Sequence, residues 1–242
     1  NASRSSSWLA SMVRPESLVQ FVERLEAEWL ARTGETQMHG DHATRVALVP
    51  GAAGSAAFWT PITERLPDDW IVTAIDLPGL GSVPARDDIR GYDDLAEYVA
   101  GIVAAPSAIV AQSMGAYVAL RVALRYPHLV THLVLVAATG GIDVMKCGAV
   151  DWRSDYAGTY PQAQSWACAC VPDLSADLMA LEIPVLLIWP TADILSPLAV
   201  AERLAATIPT TSLITFSSDD HWVVHRFPEE SAAAIRSFIQ QP

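Results

Sequence analysis

The stretch Ala111-Gln112-Ser113-Met114-Gly115 decides the fold, because it places a serine between small residues where a strand gives way to a helix. Residues 108–110 before it form an apolar run typical of a buried strand, and residues 116–126 are predicted to be helical. A serine at such a corner is held in a strained conformation that lifts its hydroxyl clear of the sheet. The pattern predicts a nucleophile elbow at Ser113; a structural serine at a sharp turn is the alternative.

The composition indicates a soluble protein with a large core. Of 242 residues, 51% are hydrophobic and 17% are charged, a balance that excludes disorder for most of the chain. No apolar run reaches the length of a membrane span. The formal net charge of −12, with 15 scattered basic residues, argues against nucleic acid as a partner. We therefore expect neither a membrane nor a nucleic-acid partner.

The three cysteines and residues 1–7 give evidence about the cellular location of the protein. Three cysteines cannot form a complete set of disulfides, and Cys168 and Cys170 are too closely spaced for a CxxC redox pair or a usual zinc half-site. Residues 1–7 lack the basic and apolar regions of a signal peptide. These observations predict reduced thiols in a cytoplasmic protein.

Residues 1–44 are predicted to form a flexible segment followed by an amphipathic helix that packs on the core. Apolar residues recur at helical spacing from Leu18 to Trp29, and the opposite face is rich in glutamate. An acidic face argues against a membrane surface. The helix could cover a sheet edge or form a homodimer contact, and the sequence leaves both possibilities open.

From residue 45 onward, short apolar runs alternate with amphipathic stretches, which is typical of a parallel sheet with helical crossovers. We predict an α/β fold in which a mostly parallel central sheet of about six or more strands is flanked by helices. The predicted strands are 46–50, 71–76, 107–112, 132–137, 183–189 and 211–216. The predicted helices are 57–66, 92–104, 114–126, 197–207 and 229–240.

Residues 142–182 interrupt this alternation. The segment is long and rich in aromatic residues, which include Trp152 and Tyr156. An insertion above the carboxyl ends of parallel strands lies where ligands usually bind. We predict a short lid inserted into a core made of residues 45–141 and 183–242; an aromatic patch that completes the core is the alternative.

An acid and a base follow the later predicted strands. Asp193 lies in the loop after strand 183–189, and His221 lies in the loop after strand 211–216. A serine hydroxyl becomes a good nucleophile only when a histidine accepts its proton, and a carboxylate must fix the tautomer of that histidine. The order serine, aspartate, histidine therefore predicts a catalytic triad of Ser113, Asp193 and His221.

Rival assignments remain open. His225 lies four residues beyond His221 and is an alternative base, and Asp143 follows an earlier strand and is an alternative acid. Asp220 directly precedes His221, where its charge could raise the histidine pKa or its oxygens could compete for the ring NH. Asp76 lies at a strand end in a turn-forming context, which favours a structural role.

Two histidine pairs have spacings that a metal could use, but neither has an evident carboxylate or cysteine partner. The pairs are His39 with His42 and His128 with His132. Solvated surface histidines are the better interpretation. We predict no metal and no cofactor.

Two backbone groups are candidates for an oxyanion hole. The NH of Met114 lies in the predicted first turn of a helix, where unpaired NH groups favour negative charge. The loop Gly51-Ala52-Ala53-Gly54 follows the first predicted strand, and its small residues allow close backbone approach. We assign the second donor to the NH of Ala52.

The chain resembles the α/β-hydrolase superfamily across roughly residues 45–240. Four motifs carry the resemblance, in order along the chain: Pro50-Gly51, Asp76-Leu77-Pro78-Gly79-Leu80-Gly81-Ser82, the elbow at Ser113, and His221 followed by Phe227-Pro228-Glu229-Glu230. Three positions depart from the family's pattern: Pro50 stands where histidine is common, and Ala111 and Asp220 stand where glycine is usual. None of these departures removes a catalytic group.

The resemblance implies a serine hydrolase that cleaves a carboxylic ester, a thioester or a lactone through an acyl-enzyme on Ser113. The same triad could serve carbon–carbon bond hydrolysis, perhydrolysis or a lyase reaction, and a non-enzymatic ligand-binding relative is the third possibility. We expect an apolar pocket that accepts a small to medium hydrophobic substrate. Its predicted lining is Phe58, Trp59, Leu80, Ile194, Leu195, Trp222, Trp152 and Tyr156.

Overall fold

The computed structural model describes residues 43–241. The amphipathic helix predicted between Leu18 and Trp29 lies outside the described residues, as does the pair His39 and His42. In the part of the chain that is described, no helix is long and apolar enough to cross a membrane.

Six parallel strands form one sheet in the described chain, in the order β2-β1-β3-β4-β5-β6. The strands are β1 (Arg45–Val49), β2 (Ile71–Ala74), β3 (Ser107–Gln112), β4 (Val130–Val136), β5 (Val185–Pro190) and β6 (Thr211–Phe216). Each overlaps a predicted strand. The α/β fold and its central parallel sheet are therefore confirmed.

Helices cover both faces of the sheet. Those in the described residues are α1 (Thr60–Thr63), α2 (Tyr92–Val103), α3 (Met114–Arg125), α4 (Arg153–Thr159), α5 (Ser175–Leu178), α6 (Leu198–Thr207), α7 (Val223–Arg226) and α8 (Pro228–Ile239). The four long helices begin and end within one residue of the predicted bounds.

The single helix predicted over residues 57–66 is wrong. The chain forms a 3₁₀ helix at Ala56–Trp59 and then the short helix α1, which has Pro61 in its first turn. Proline has no backbone NH, and inside a longer helix its ring would clash with the carbonyl four residues earlier. A new helix can begin at such a residue, but a preceding one cannot run through it.

The core consists of two apolar layers, one on each face of the sheet. The first contains residues of α2, α3 and α6, and the second contains residues of α1 and α8. All six residues of β3 and of β5 are buried, as expected for central parallel strands covered on both faces. This packing fixes the carboxyl ends of the strands, from which the loops of the candidate site extend.

Residues 142–182, the predicted lid, form several short helices. Besides α4 and α5, they form 3₁₀ helices at Val144–Cys147 and Ser165–Cys168. Several of their apolar side chains are buried against the first core layer. The backbone NH of Gln164 donates to the Gly79 carbonyl at 2.9 Å, so the segment also contacts the turn after β2.

Candidate active site

Ser113 occupies the corner between β3 and α3. Its φ of 53° and ψ of −123° lie in a region that non-glycine residues rarely adopt. The Ser113 NH donates to the Val136 carbonyl at 2.9 Å, which ties the corner to β4. A Cβ atom on Gly115 would collide with the Pro50 carbonyl. The sequence therefore folds locally into the strained turn that the small residues predicted.

Three predicted catalytic side chains form a continuous hydrogen-bonded line. His221 Nε2 lies 2.9 Å from Ser113 Oγ, and His221 Nδ1 lies 2.6 Å from Asp193 Oδ2. Asp193 is only 3% exposed, and its other oxygen accepts the NH of Leu195 at 2.8 Å. Because an ionised carboxylate only accepts hydrogen bonds, we assign the proton of neutral His221 to Nδ1. Nε2 is then free to accept the proton of Ser113.

The rival acid and base have other partners. Asp143 forms an ion pair with Lys146 at 3.0 Å, and the hydrogen bond from Lys146 lowers the pKa of the Asp143 carboxyl below its usual value. His225 Nε2 lies 2.7 Å from the Phe58 carbonyl, to which it must donate. Neither side chain hydrogen-bonds to Ser113 or His221 in the described structure.

Two further aspartates stabilise loops. Asp220 Oδ1 accepts the backbone NH of Trp222 at 2.8 Å, so this carboxylate is engaged by the loop that carries His221. Asp76 Oδ1 accepts the NH of Ala56 at 2.7 Å and connects the turn after β2 to the 3₁₀ helix. The Asp220 contact is a short-range turn interaction, whereas the Asp76 contact joins residues 20 positions apart.

The loop of residues 51–54 is held tightly beside Ser113. A Cβ atom on Gly51 would collide with the Gln112 side chain, and one on Gly81 would collide with the Ala53 carbonyl oxygen. The Tyr156 hydroxyl donates to the Ala52 carbonyl at 2.8 Å and accepts the NH of Gly81 at 2.7 Å. Burial raises the pKa of the Tyr156 phenol, which keeps it protonated as the donor. Tyr156 thus clamps the loop that carries the predicted Ala52 donor.

The predicted pocket residues fall into different environments. Trp222 and Ile194 are 54% and 63% exposed, and the Phe58 ring lies 6.5 Å from the Trp222 ring in an edge-to-face arrangement. Trp59 and Leu80 have no exposed surface, so their assignment to a pocket wall is wrong. They pack in the two core layers, Leu80 in the first and Trp59 in the second. Phe58, Leu195 and Trp152 are partly buried.

Sequence reasoning missed Thr139. This residue is 5% exposed, and its Oγ1 lies 3.2 Å from Ser113 Oγ. It follows β4, so its place after a predicted strand was an available signal. The role of Tyr156 as a clamp was also missed, because nothing in the sequence relates it to Ala52 and Gly81.

Within residues 43–241, no group of three or more histidine, cysteine, aspartate or glutamate side chains could hold a metal ion. Burial lowers the pKa of His132, and His128 lies beside the Tyr126 ring.

Known proteins resemble this chain in sequence and in fold. The Alpha/beta hydrolase family matches residues 46–164. A pimeloyl-[acyl-carrier protein] methyl ester esterase of Neisseria meningitidis is 26% identical over 257 residues, covering 87% of this chain and 98% of the relative. An esterase of Thermogutta terrifontis superposes with a TM-score of 0.70 at 22% identity, covering 82% of this chain and 90% of the other.

A meta-cleavage product hydrolase of Pseudomonas fluorescens superposes with a TM-score of 0.67 at 21% identity, covering 81% of this chain and 90% of the other. At such identities the solved structures establish the fold alone, since one fold hosts many chemistries. In both sequence and fold, this chain is therefore similar to α/β hydrolases.

Proposed function

We propose that this protein hydrolyses carboxylic esters through an acyl-enzyme formed on Ser113. The observation that carries the proposal is the line from Asp193 through His221 to Ser113, with distances of 2.6 and 2.9 Å. Distances in this range allow proton transfer between the groups. The Neisseria relative, which is named as a methyl ester esterase, supports the same reaction class.

The chemistry proceeds in two halves. Ser113 Oγ attacks the ester carbonyl carbon while its proton moves to His221 Nε2, and the carbonyl electrons move onto oxygen. The intermediate collapses, His221 protonates the departing alcohol, and the acyl group remains on Ser113. A water molecule then repeats the sequence, with His221 again as the base, and releases the acid. Asp193 orients His221 and stabilises its cation throughout.

The oxyanion formed in each half would be held by the backbone NH groups of Ala52 and Met114. Met114 is the first residue of α3, where NH groups lack helical acceptors and the dipole favours an anion. The Ala52 loop is fixed by the contact with Tyr156. Donors fixed in this way need no reorganisation when charge develops, which is how they accelerate the reaction.

The substrate in this proposal is a small or medium ester with a hydrophobic group, and a thioester or a lactone would react by the same steps. Exposed apolar side chains of Ile194 and Trp222 lie in the loops that carry Asp193 and His221. Residues 142–182 would act as a short lid, since α4 contacts the proposed oxyanion loop through Tyr156. We further propose a cytoplasmic location, which is supported by three unpaired cysteines.

The proposal is tested by the hydrolysis of p-nitrophenyl butyrate. We expect turnover by the wild type and a loss of roughly 10⁶-fold in kcat for Ser113→Ala, because triad members act as a unit. The exposed Ser82 provides a matched control, since Ser82→Ala should retain full activity. Equal turnover by wild type and Ser113→Ala would refute the mechanism.

A further inference from the structure

We propose that Thr139 is a further catalytic residue, whose hydroxyl donates a hydrogen bond to Ser113 Oγ and thereby directs the serine proton to His221. The inference rests on the proposed function, because it concerns the same nucleophile. Thr139 Oγ1 lies 3.2 Å from Ser113 Oγ, on the reacting oxygen itself. The line of hydrogen bonds thus has four members instead of three.

The direction of each hydrogen bond follows from what each group can donate. Asp193 is an acceptor only, so His221 Nδ1 carries the imidazole proton and Nε2 is an acceptor. Nε2 can be satisfied only by the hydroxyl proton of Ser113, which lies 2.9 Å away. Ser113 has no second proton to give, so the bond with Thr139 must be donated by threonine.

Within residues 43–241, the Thr139 proton has one hydrogen-bond acceptor, Ser113 Oγ. The side chain is 5% exposed, and among residues 43–241 its hydroxyl has Ser113 Oγ as its hydrogen-bond partner. A buried hydroxyl without a partner is costly, which favours donation to that oxygen. The serine proton is consequently kept away from Thr139 and pointed at the base.

The backbone around Thr139 is fixed from several sides. Its NH donates to the Ser113 carbonyl at 3.3 Å, so the two residues are joined through both backbone and side chain. The buried Ser196 hydroxyl donates to the Ala138 carbonyl at 2.6 Å, which ties this loop to the loop that carries Asp193. A Cβ atom on Gly140 would press against Tyr117. The threonine hydroxyl is therefore preorganised.

The hydrogen bond from Thr139 to Ser113 Oγ contributes to both acylation and deacylation. In acylation the Ser113 O–H bond breaks, the proton goes to His221 Nε2, and Oγ forms a bond to the carbonyl carbon. In deacylation the bond between that carbon and Oγ breaks, the electron pair returns to Oγ, and His221 returns a proton. Thr139 keeps its own proton throughout and donates to Oγ while that oxygen carries negative charge, where hydrogen bonds are strongest.

The test compares Thr139→Val, which removes the hydroxyl at similar volume, with Thr139→Ser, which retains it. Both variants and the wild type are assayed for p-nitrophenyl butyrate hydrolysis and for the second-order rate of fluorophosphonate labelling. We expect Thr139→Val to lower kcat and the labelling rate by about 10- to 100-fold, with KM within about twofold. Thr139→Ser should remain within about threefold of the wild type.

A purely structural role is tested in the Ser113→Ala background. If Thr139 acts on Ser113 Oγ, Thr139→Val should lower the melting temperature of the wild type more than that of Ser113→Ala, since the partner oxygen is already gone. Should Thr139→Val not fold, Thr139→Ala replaces it in the comparison with Thr139→Ser.

Two results would overturn the inference while leaving the proposed function intact: an unchanged labelling rate in Thr139→Val, or an equal loss in Thr139→Ser. A wild type that reacts with neither ester nor fluorophosphonate would overturn the proposed function, and the inference with it.

Discussion

The two sides of Ser113 are built in different ways. On the acid–base side, Asp193 and His221 reach the serine with side-chain atoms through bonds of 2.6 and 2.9 Å. On the oxyanion side, the proposed donor at Ala52 is a backbone atom, and its place depends on glycines and on the Tyr156 clamp. The chemistry of a catalytic side chain follows from its residue type. The position of a backbone NH group depends instead on the residues that pack around it.

Among substitutions on the two sides of Ser113, the largest loss of activity is expected on the acid–base side. Asp193→Asn should lower kcat by about 10⁴-fold, because an amide can donate to His221 Nδ1 and so favour the tautomer that cannot accept the serine proton. Asp143→Asn is the matched control, since Asp143 is paired with Lys146 and should be dispensable. Steady-state kinetics on p-nitrophenyl butyrate give kcat for both variants. A large loss of kcat in Asp143→Asn, with full activity in Asp193→Asn, would instead identify Asp143 in the loop after β4 as the catalytic acid.

A smaller loss of kcat is expected from a substitution of Gly81 on the oxyanion side. Gly81 has a φ of 53°, and an added Cβ would collide with the backbone of Ala53. Gly81→Ala should displace the loop and lower kcat by about 10²-fold, similar to the loss of one oxyanion donor.

The control for Gly81→Ala is Gly101→Ala in α2. A Cβ at Gly101 meets no atom within 4 Å, so this variant should keep full activity and gain slightly in stability. Activities are compared well below each melting temperature. Full activity in Gly81→Ala would show that catalysis does not depend on the observed position of the loop of residues 51–54.

The smallest loss of activity is expected when the hydrogen bonds of the Tyr156 hydroxyl are removed. Tyr156→Phe removes the bond to Ala52 and should lower kcat by about tenfold with KM nearly unchanged, because one or two neutral hydrogen bonds are lost. Tyr160→Phe is the control within the same segment. A rise in KM at constant kcat would instead assign Tyr156 to the substrate pocket, as the sequence predicted.

The acid–base side was accessible from the sequence because three signals coincide. Ser113, Asp193 and His221 each follow a predicted strand, and the carboxyl ends of parallel strands lie along one edge of the sheet. The rivals Asp143 and His225 satisfied the same rule. Only their contacts with Lys146 and Phe58 separate them from the residues that reach Ser113.

The oxyanion side and the orientation of individual side chains were harder to predict from the sequence. The sequence indicated that residues 51–54 allow close approach, but the clamp joins Tyr156 to residues more than 70 positions away. Trp59 and Leu80 were predicted to line an apolar pocket, yet both are core residues. Which way a side chain points near a turn depends on local dihedral angles that periodicity does not specify.

The most direct test of the central claim is mass spectrometry of the protein after reaction with a fluorophosphonate. The account predicts one adduct per chain, located on the peptide that contains Ser113, and no adduct in Ser113→Ala. No adduct on the wild type, or an adduct on a different residue, would contradict the claim that Ser113 is an activated nucleophile.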